Sequence, residues 1–128
     1  MILDASAIVA IVLRERDRDE LLDKLESAST AGVGAPTLAE TAIVLASRLG
    51  DEAPVDLARF VERAGLVVIA FGQLHWWTAA EAWLRFGKGR HPAALNFGDC
   101  LAYATAQVAA EPLLCKGDDF SKTDLALA

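Results

Sequence analysis

Apolar positions along the chain fall into short runs separated by longer stretches of helical spacing, and that alternation predicts the elements. Met1–Leu3 is a short apolar run ending at Asp4. Ser6–Leu13 reads as a helix, and Asp19–Ser27 as a second, with Leu21, Leu22 and Leu25 on one face. Ala31–Ala35 is a small-residue strand closed by Pro36, followed by an amphipathic helix over Thr37–Leu49 that Gly50 stops. Pro54 opens a helix over Val55–Ala64, which ends at Gly65. Leu66–Phe71 (LVVIAF) has the β-branched, uncharged composition of a buried strand. Leu74–Phe86 is helical, Gly87–Pro92 a loop, Gly98–Ala109 a helix, Leu113–Cys115 a short strand and Gly117-Asp118-Asp119 a turn.

Strands separated by helices imply parallel pairing. The expected fold class is therefore α/β, a three-layer α/β/α sandwich with a central parallel sheet of four to five short strands, forming a single domain over residues 1–128. Such sheets place their sites beyond the carboxyl ends of the strands.

A hydrophobic fraction of 54% is enough to bury a core and argues against disorder. No apolar run approaches the ~20 residues of a membrane span. The longest, Ala5–Leu13, runs straight into Arg14-Glu15-Arg16-Asp17 and lacks a basic leader and a small-residue cleavage site, so a soluble, cytoplasmic protein is expected. Cys100 and Cys115 lie in apolar stretches, without the spacing of a disulfide framework or a zinc site, and read as small buried thiols. The net charge of −6 is unusual for a protein that handles nucleic acid, because phosphate binding runs on Lys and Arg. Bound metal neutralising some of the acid would reconcile the two.

Four acids interrupt or directly follow apolar sequence: Asp4, Glu40, Asp99 and Asp119. Each has a purely structural alternative. Asp4 opens a helix and can cap it. Thr37-Leu38-Ala39-Glu40 matches a capping box, Asn96 to Asp99 is a weaker version of the same pattern, and Asp119 lies in a turn. Taken together they mean more. Asp4, Glu40 and Asp119 all fall just past a predicted strand end, where crowded carboxylates repel one another unless a cation compensates. Asp99 follows a loop, and spacing alone does not place it. Oxygen donors without His or Cys favour Mg²⁺, with Mn²⁺ as a substitute, over zinc. A cation so held supports in-line phosphodiester hydrolysis by activated water.

The stretches that carry these acids are Met1-Ile2-Leu3-Asp4-Ala5-Ser6, Pro36-Thr37-Leu38-Ala39-Glu40-Thr41, Leu95-Asn96-Phe97-Gly98-Asp99-Cys100, and Leu113 to Phe120 followed by Thr123-Asp124. In this order and over this length they resemble the PIN-domain family, and within it the VapC-type toxins of bacterial toxin–antitoxin pairs. The resemblance covers essentially the whole chain. It implies a Mg²⁺-dependent endoribonuclease acting on RNA, a homodimer, and inhibition by a cognate VapB-like antitoxin. It further implies that Asp4 and Asp99 are the principal metal ligands, that Glu40 completes the site or orients water, and that Asp119 is the fourth member in preference to its neighbour Asp118. Ser6 resembles the family's small hydroxyl beside the first Asp.

Lys88, Arg90 and His91, in the loop before Asp99, are candidates for contact with RNA phosphates, and Lys116 and Lys122 bracket Asp119. Arg14, Arg16 and Arg18 alternate with acids and read as a solvated charge run. Trp76, Ala79, Ala80 and Trp83 share one helical face, which predicts packing in a core or dimer surface over base stacking. His75 and His91 are too isolated to be expected as metal ligands. A nuclease of the same fold acting on DNA or structured junctions fits the same residues. A receiver-type signalling domain fits poorly, because Asp4 has no acidic neighbour and LVVIAF ends at Phe71-Gly72; an Asp-x-Asp phosphatase fails because Ser6 occupies the second position.

Overall fold

The computed structural model covers residues 1–128. Strands β1 (Ile2–Leu3), β2 (Gly32–Gly34), β3 (Val67–Ile69) and β4 (Leu113–Leu114) form one sheet in the order β3-β2-β1-β4, with every pairing parallel. Six helices connect them: α1 (Ala5–Val12), α2 (Arg18–Ser27), α3 (Ala35–Leu49), α4 (Ala53–Arg63), α5 (Gln73–Phe86) and α6 (Phe97–Ala109). A single 3₁₀ turn, Phe120–Lys122, follows β4.

Adjacent strand residues face opposite sides of the pleat, and here that alternation separates two cores. Ile2 and Leu113 point into a cluster with Phe86, Leu95, Tyr103 and the alanines of α6. Leu3 and Leu114 point into a second cluster, with Ile8, Ile11, Leu21, Val33, Leu45 and Leu57. Helices α5 and α6 thus cover one face and α1 to α4 the other, giving the expected three layers.

Two local readings are corrected. LVVIAF is not a buried strand: β3 is the sheet's edge, Val67 and Val68 are 60% and 51% exposed, and only Leu66 is buried. β-branched composition reports a residue's fitness for a pleated surface, not its depth. Pro36 does not close β2 but sits in the first turn of α3, which starts at Ala35 with Gly34 as its cap. Proline is tolerated there because that turn's N–H groups have no helical partner. Thr37 is therefore inside the helix, and its hydroxyl makes no capping bond.

The glycines of β2 have a packing reason. A Cβ on Gly34 would lie 2.7 Å from Thr105 Oγ1 on α6. Only a bare backbone lets the helix approach the sheet this closely.

Candidate active site

The chain leaves β1 for β2 on one side and is rejoined by β4 on the other, so the strand order reverses at β1. Asp4 stands at that switch point, where open parallel sheets form crevices. Its backbone N–H donates to Leu114 O at 2.9 Å, which ties the first strand end to the last. It caps α1 by accepting from Ser6 N at 3.0 Å, and Ser6 Oγ donates to the same Oδ2 at 2.5 Å. The Ser6 hydroxyl in turn accepts from Lys116 N at 2.9 Å. Ser6 thus bridges Asp4 and the segment after β4. Asp4 is only 4% exposed, and burial raises its pKa despite the hydrogen bonds from Ser6, which pull the other way.

Glu40 lies in the second turn of α3. With Gly34 as the helix cap, the capping-box reading of Thr37 and Glu40 fails. Glu40 Oε2 is instead buried without a hydrogen-bond partner. Burial raises its pKa first, and the charges of Asp4 and Asp99 raise it further. Asp99 is the acid that does complete a capping box: its N–H donates to Asn96 Oδ1 at 2.8 Å, and its Oδ2 accepts from Asn96 N at 2.9 Å. Its pKa is also raised, by burial foremost and then by Asp4 and Asp119, against the lowering effect of the Asn96 bond.

Asp4, Glu40 and Asp99 are therefore close enough for their charges to interact, and Asp119 acts on Asp99, although they come from the cap of α1, from helices α3 and α6 and from the turn after β4. Asp119 is exposed and is the member of its pair whose charge reaches Asp99. Asp118 is exposed too, and its carbonyl accepts from Ser121 Oγ at 2.6 Å. In the side-chain positions present, no three His, Cys, Asp or Glu groups close into a ready-made metal cage. The donor set nevertheless fits a hard divalent cation: it is all oxygen, it concentrates negative charge, and it holds a buried carboxylate oxygen with nothing to bond.

Other candidates are placed more loosely. Lys88 and Arg90 are exposed in the loop ahead of α6. Arg90 is pinned there, with Nε donating to Leu84 O at 3.1 Å and its guanidinium 5.0 Å from the Trp83 ring centroid. Lys116 is held by Glu15 and by Asp17, the latter at 3.6 Å, so two members of the charge run read as solvated have a partner. Lys122 is exposed. His91 Nδ1 accepts from Ala93 N at 3.1 Å and His75 Nδ1 from Gly72 N at 3.1 Å, so both act in local backbone bonding. Trp76 and Trp83 are not core: they are 49% and 43% exposed and, with Phe71, Leu84, Phe97 and Leu101, line an apolar groove of about 650 Å³. Cys100 is buried as expected, whereas Cys115 is half-buried beside the acids; burial pushes both thiols up to about 11.

Two features were missed in the sequence. The C-terminal segment is fastened by Asp124, which accepts from Tyr103 Oη at 2.6 Å and from Arg85 Nη2 at 2.7 Å. The residues are far apart in the chain, so no local pattern announces them. Gly98 packs directly against the Glu40 carboxylate. A glycine in the first turn of a helix is a signal of close approach, but it does not name the neighbour.

Comparison with known proteins gives one consistent result. A sequence profile for the PIN domain matches residues 1–125. The chain is 48% identical to the ribonuclease VapC36 of Mycobacterium tuberculosis over 126 residues, covering 98% of this chain and 91% of that protein. It is 39% identical to the ribonuclease VapC of Mycolicibacterium smegmatis, covering 98% of each. Among solved structures it resembles VapC20 of Mycobacterium tuberculosis, a Sarcin-Ricin loop cleaving toxin, with a TM-score of 0.80 at 18% identity over 99% of this chain and 97% of that one. It also resembles VapBC2 of Rickettsia felis bound to a DNA fragment from its promoter, with a TM-score of 0.77 at 17% identity over 99% and 96%.

Proposed function

The chain belongs to the PIN-domain family and, within it, to the VapC group, and from that premise we propose that it is a metal-dependent endoribonuclease, the toxin of a toxin–antitoxin pair. The observation that carries this reading is the gathering of Asp4, Glu40, Asp99 and Asp119 beyond the carboxyl end of β1, with a Glu40 oxygen buried and unbonded. The names of relatives along nearly the full chain support the choice of RNA as substrate. Solved complexes of structural neighbours with antitoxins support a cognate antitoxin partner.

Asp4 and Asp99 would hold Mg²⁺ or Mn²⁺, with Asp119 at the exposed side of the site. When bound, the cation would lower the pKa of a water and neutralise charge building on the phosphate. The chain's own residues do the rest. Ser6 orients Asp4 by donating to its Oδ2 from both the backbone N–H and the hydroxyl. The Asn96 pairing fixes the Asp99 carboxylate by one oxygen in the same way. Glu40, whose Oε2 has no hydrogen-bond partner, would complete the cation's ligand set or orient the attacking water. Lys88 offers an unpaired, exposed ammonium for the RNA backbone, and Arg90 and Lys116 offer their charges after exchange of their present partners. The exposed apolar face around Trp76, Trp83, Leu84 and Phe97 is suited to a second copy, giving a homodimer. Such a protein would act in the cytoplasm, and no helix is long and apolar enough to cross a membrane.

The test is RNA cleavage by wild type, Asp4→Asn and Asp99→Asn, with Mg²⁺ and with chelator. Cleavage is expected only from wild type with metal. Chelator-insensitive cleavage, or full activity in both variants, would sink the mechanism.

A further inference from the structure

Gly98 lies in the first turn of α6, next to Asp99, with a backbone that any residue can adopt. Helix propensity at such a position favours alanine. Space does not. A Cβ at residue 98 would lie 2.5 Å from both Glu40 Oε1 and Oε2 and 2.7 Å from Cδ, where ordinary contact begins at 3.4 Å. The Glu40 carboxylate therefore lies flat against the bare Cα of Gly98. Its Oε2 makes no hydrogen bond, so packing against this surface, and not a donor, sets where that oxygen rests.

We propose that Gly98 is a positioning residue for Glu40: by lacking a side chain, it lets the carboxylate of α3 settle beside Asp99 at the start of α6. An added methyl would meet the end of a flexible side chain, not rigid backbone. The carboxylate is thus the part that moves, and the fold survives while the acid leaves its place. That a pair of residues on different helices sets the site also explains why a buried, unbonded carboxylate oxygen persists there. The role assigned to the displaced acid rests on the nuclease reading above; the displacement itself does not.

A double-mutant cycle tests it, using Gly98→Ala, Glu40→Ala and the double variant in the full chain. In metal-free protein, Gly98→Ala should raise Tm more in the Glu40→Ala background than in wild type, because only wild type has a carboxylate to displace. Mn²⁺ binding by calorimetry should weaken on the order of tenfold on Gly98→Ala in wild type, as for other residues that orient ligands. It should be unchanged by Gly98→Ala when Glu40 is already alanine. Circular dichroism of all variants should match wild type. Equal Tm shifts in both backgrounds, or the same loss of Mn²⁺ affinity in both, would overturn the proposal. Failure of wild type to bind Mn²⁺ would overturn the metal reading, while a Tm shift that depends on Glu40 would still support the positioning role.

Discussion

Replacing Asp4 by asparagine should stabilise the metal-free protein at neutral pH while abolishing cleavage. Asparagine caps a helix about as well as aspartate, and its amide oxygen can accept the same two bonds that Ser6 gives to Oδ2. What the substitution removes is charge. The charged form gains from bonds to Ser6 and to the backbone of Ala5, yet the pKa still ends above its ordinary value, so burial outweighs all of them. Charge on Asp4 is therefore a net cost to the fold. Each unit by which a folded carboxyl pKa exceeds its unfolded value corresponds to about 1.4 kcal/mol. That cost is already net of the bonds the charged form accepts, so removing the charge is a gain. Relief of Glu40 and Asp99, both raised by the Asp4 charge, adds to it. Tm should therefore rise, by about 4 °C for every 1 kcal/mol of net gain in a domain of this size. The assay is thermal melting at pH 7.5 in chelator, with Asp4→Ala as control. Alanine loses the cap and should melt below the asparagine variant by the equivalent of roughly 1 kcal/mol. If Asp4→Asn melted several degrees below wild type in chelator, burial of the charge would not be the dominant effect, and the reasoning would fail.

Further outcomes follow from the same structure. Because Asp4, Glu40 and Asp99 all have raised folded pKa values, the native state binds more protons than the unfolded chain between the ordinary carboxylate range and those raised values. Their contribution to stability should therefore grow as pH falls through that window, and chemical denaturation in chelator at pH 7.5 and pH 5.5 should show it. Saturating Mg²⁺ should flatten the trend and raise Tm, and an unchanged Tm with metal would contradict a cation site. Gly34→Val should destabilise by about 2 kcal/mol or more in urea titration, since the new side chain meets Thr105 Oγ1 on α6. Tyr103→Phe should cost about 1 kcal/mol by removing the bond to Asp124, with RNA cleavage retained; loss of cleavage at full stability would point to an unsuspected role near the site.

Most of the frame was legible because it depends on periodicity. The strand and helix runs, the parallel pairing and the strand-end placement of Asp4 and Asp119 all follow from local pattern. The errors came where neighbours decide. LVVIAF looks buried by composition, but its position at the sheet edge is fixed by which strands pair with it, and no local pattern carries that. Thr37-x-x-Glu40 looks like a capping box, yet Pro36 is accommodated within the helix and moves the cap to Gly34, leaving Glu40 free for the site. The fainter Asn96–Asp99 pattern proved to be the real box. Asp99 could not be placed from its loop; the packing of α6 beneath β1 and β2 places it, and that depends on small residues such as Gly34 meeting Thr105. The Asp124 anchor on Tyr103 and Arg85 joins residues distant in sequence, and only the tertiary structure brings them together.

The bond from Asp4 N to Leu114 O also sets a timetable for the chain as it is made. β1 is the first strand synthesised, but one of its two sheet partners, β4, is the last. The acid that follows β4, Asp119, emerges later still. Contacts of such long sequence separation form late in folding, after the loop between them has closed. Until residues 113–119 have left the ribosome, an emerging chain can present Asp4, Glu40 and Asp99 but cannot seat Asp4 against its closing strand or add the fourth acid. The four acids are thus brought together only once β4 has paired with β1.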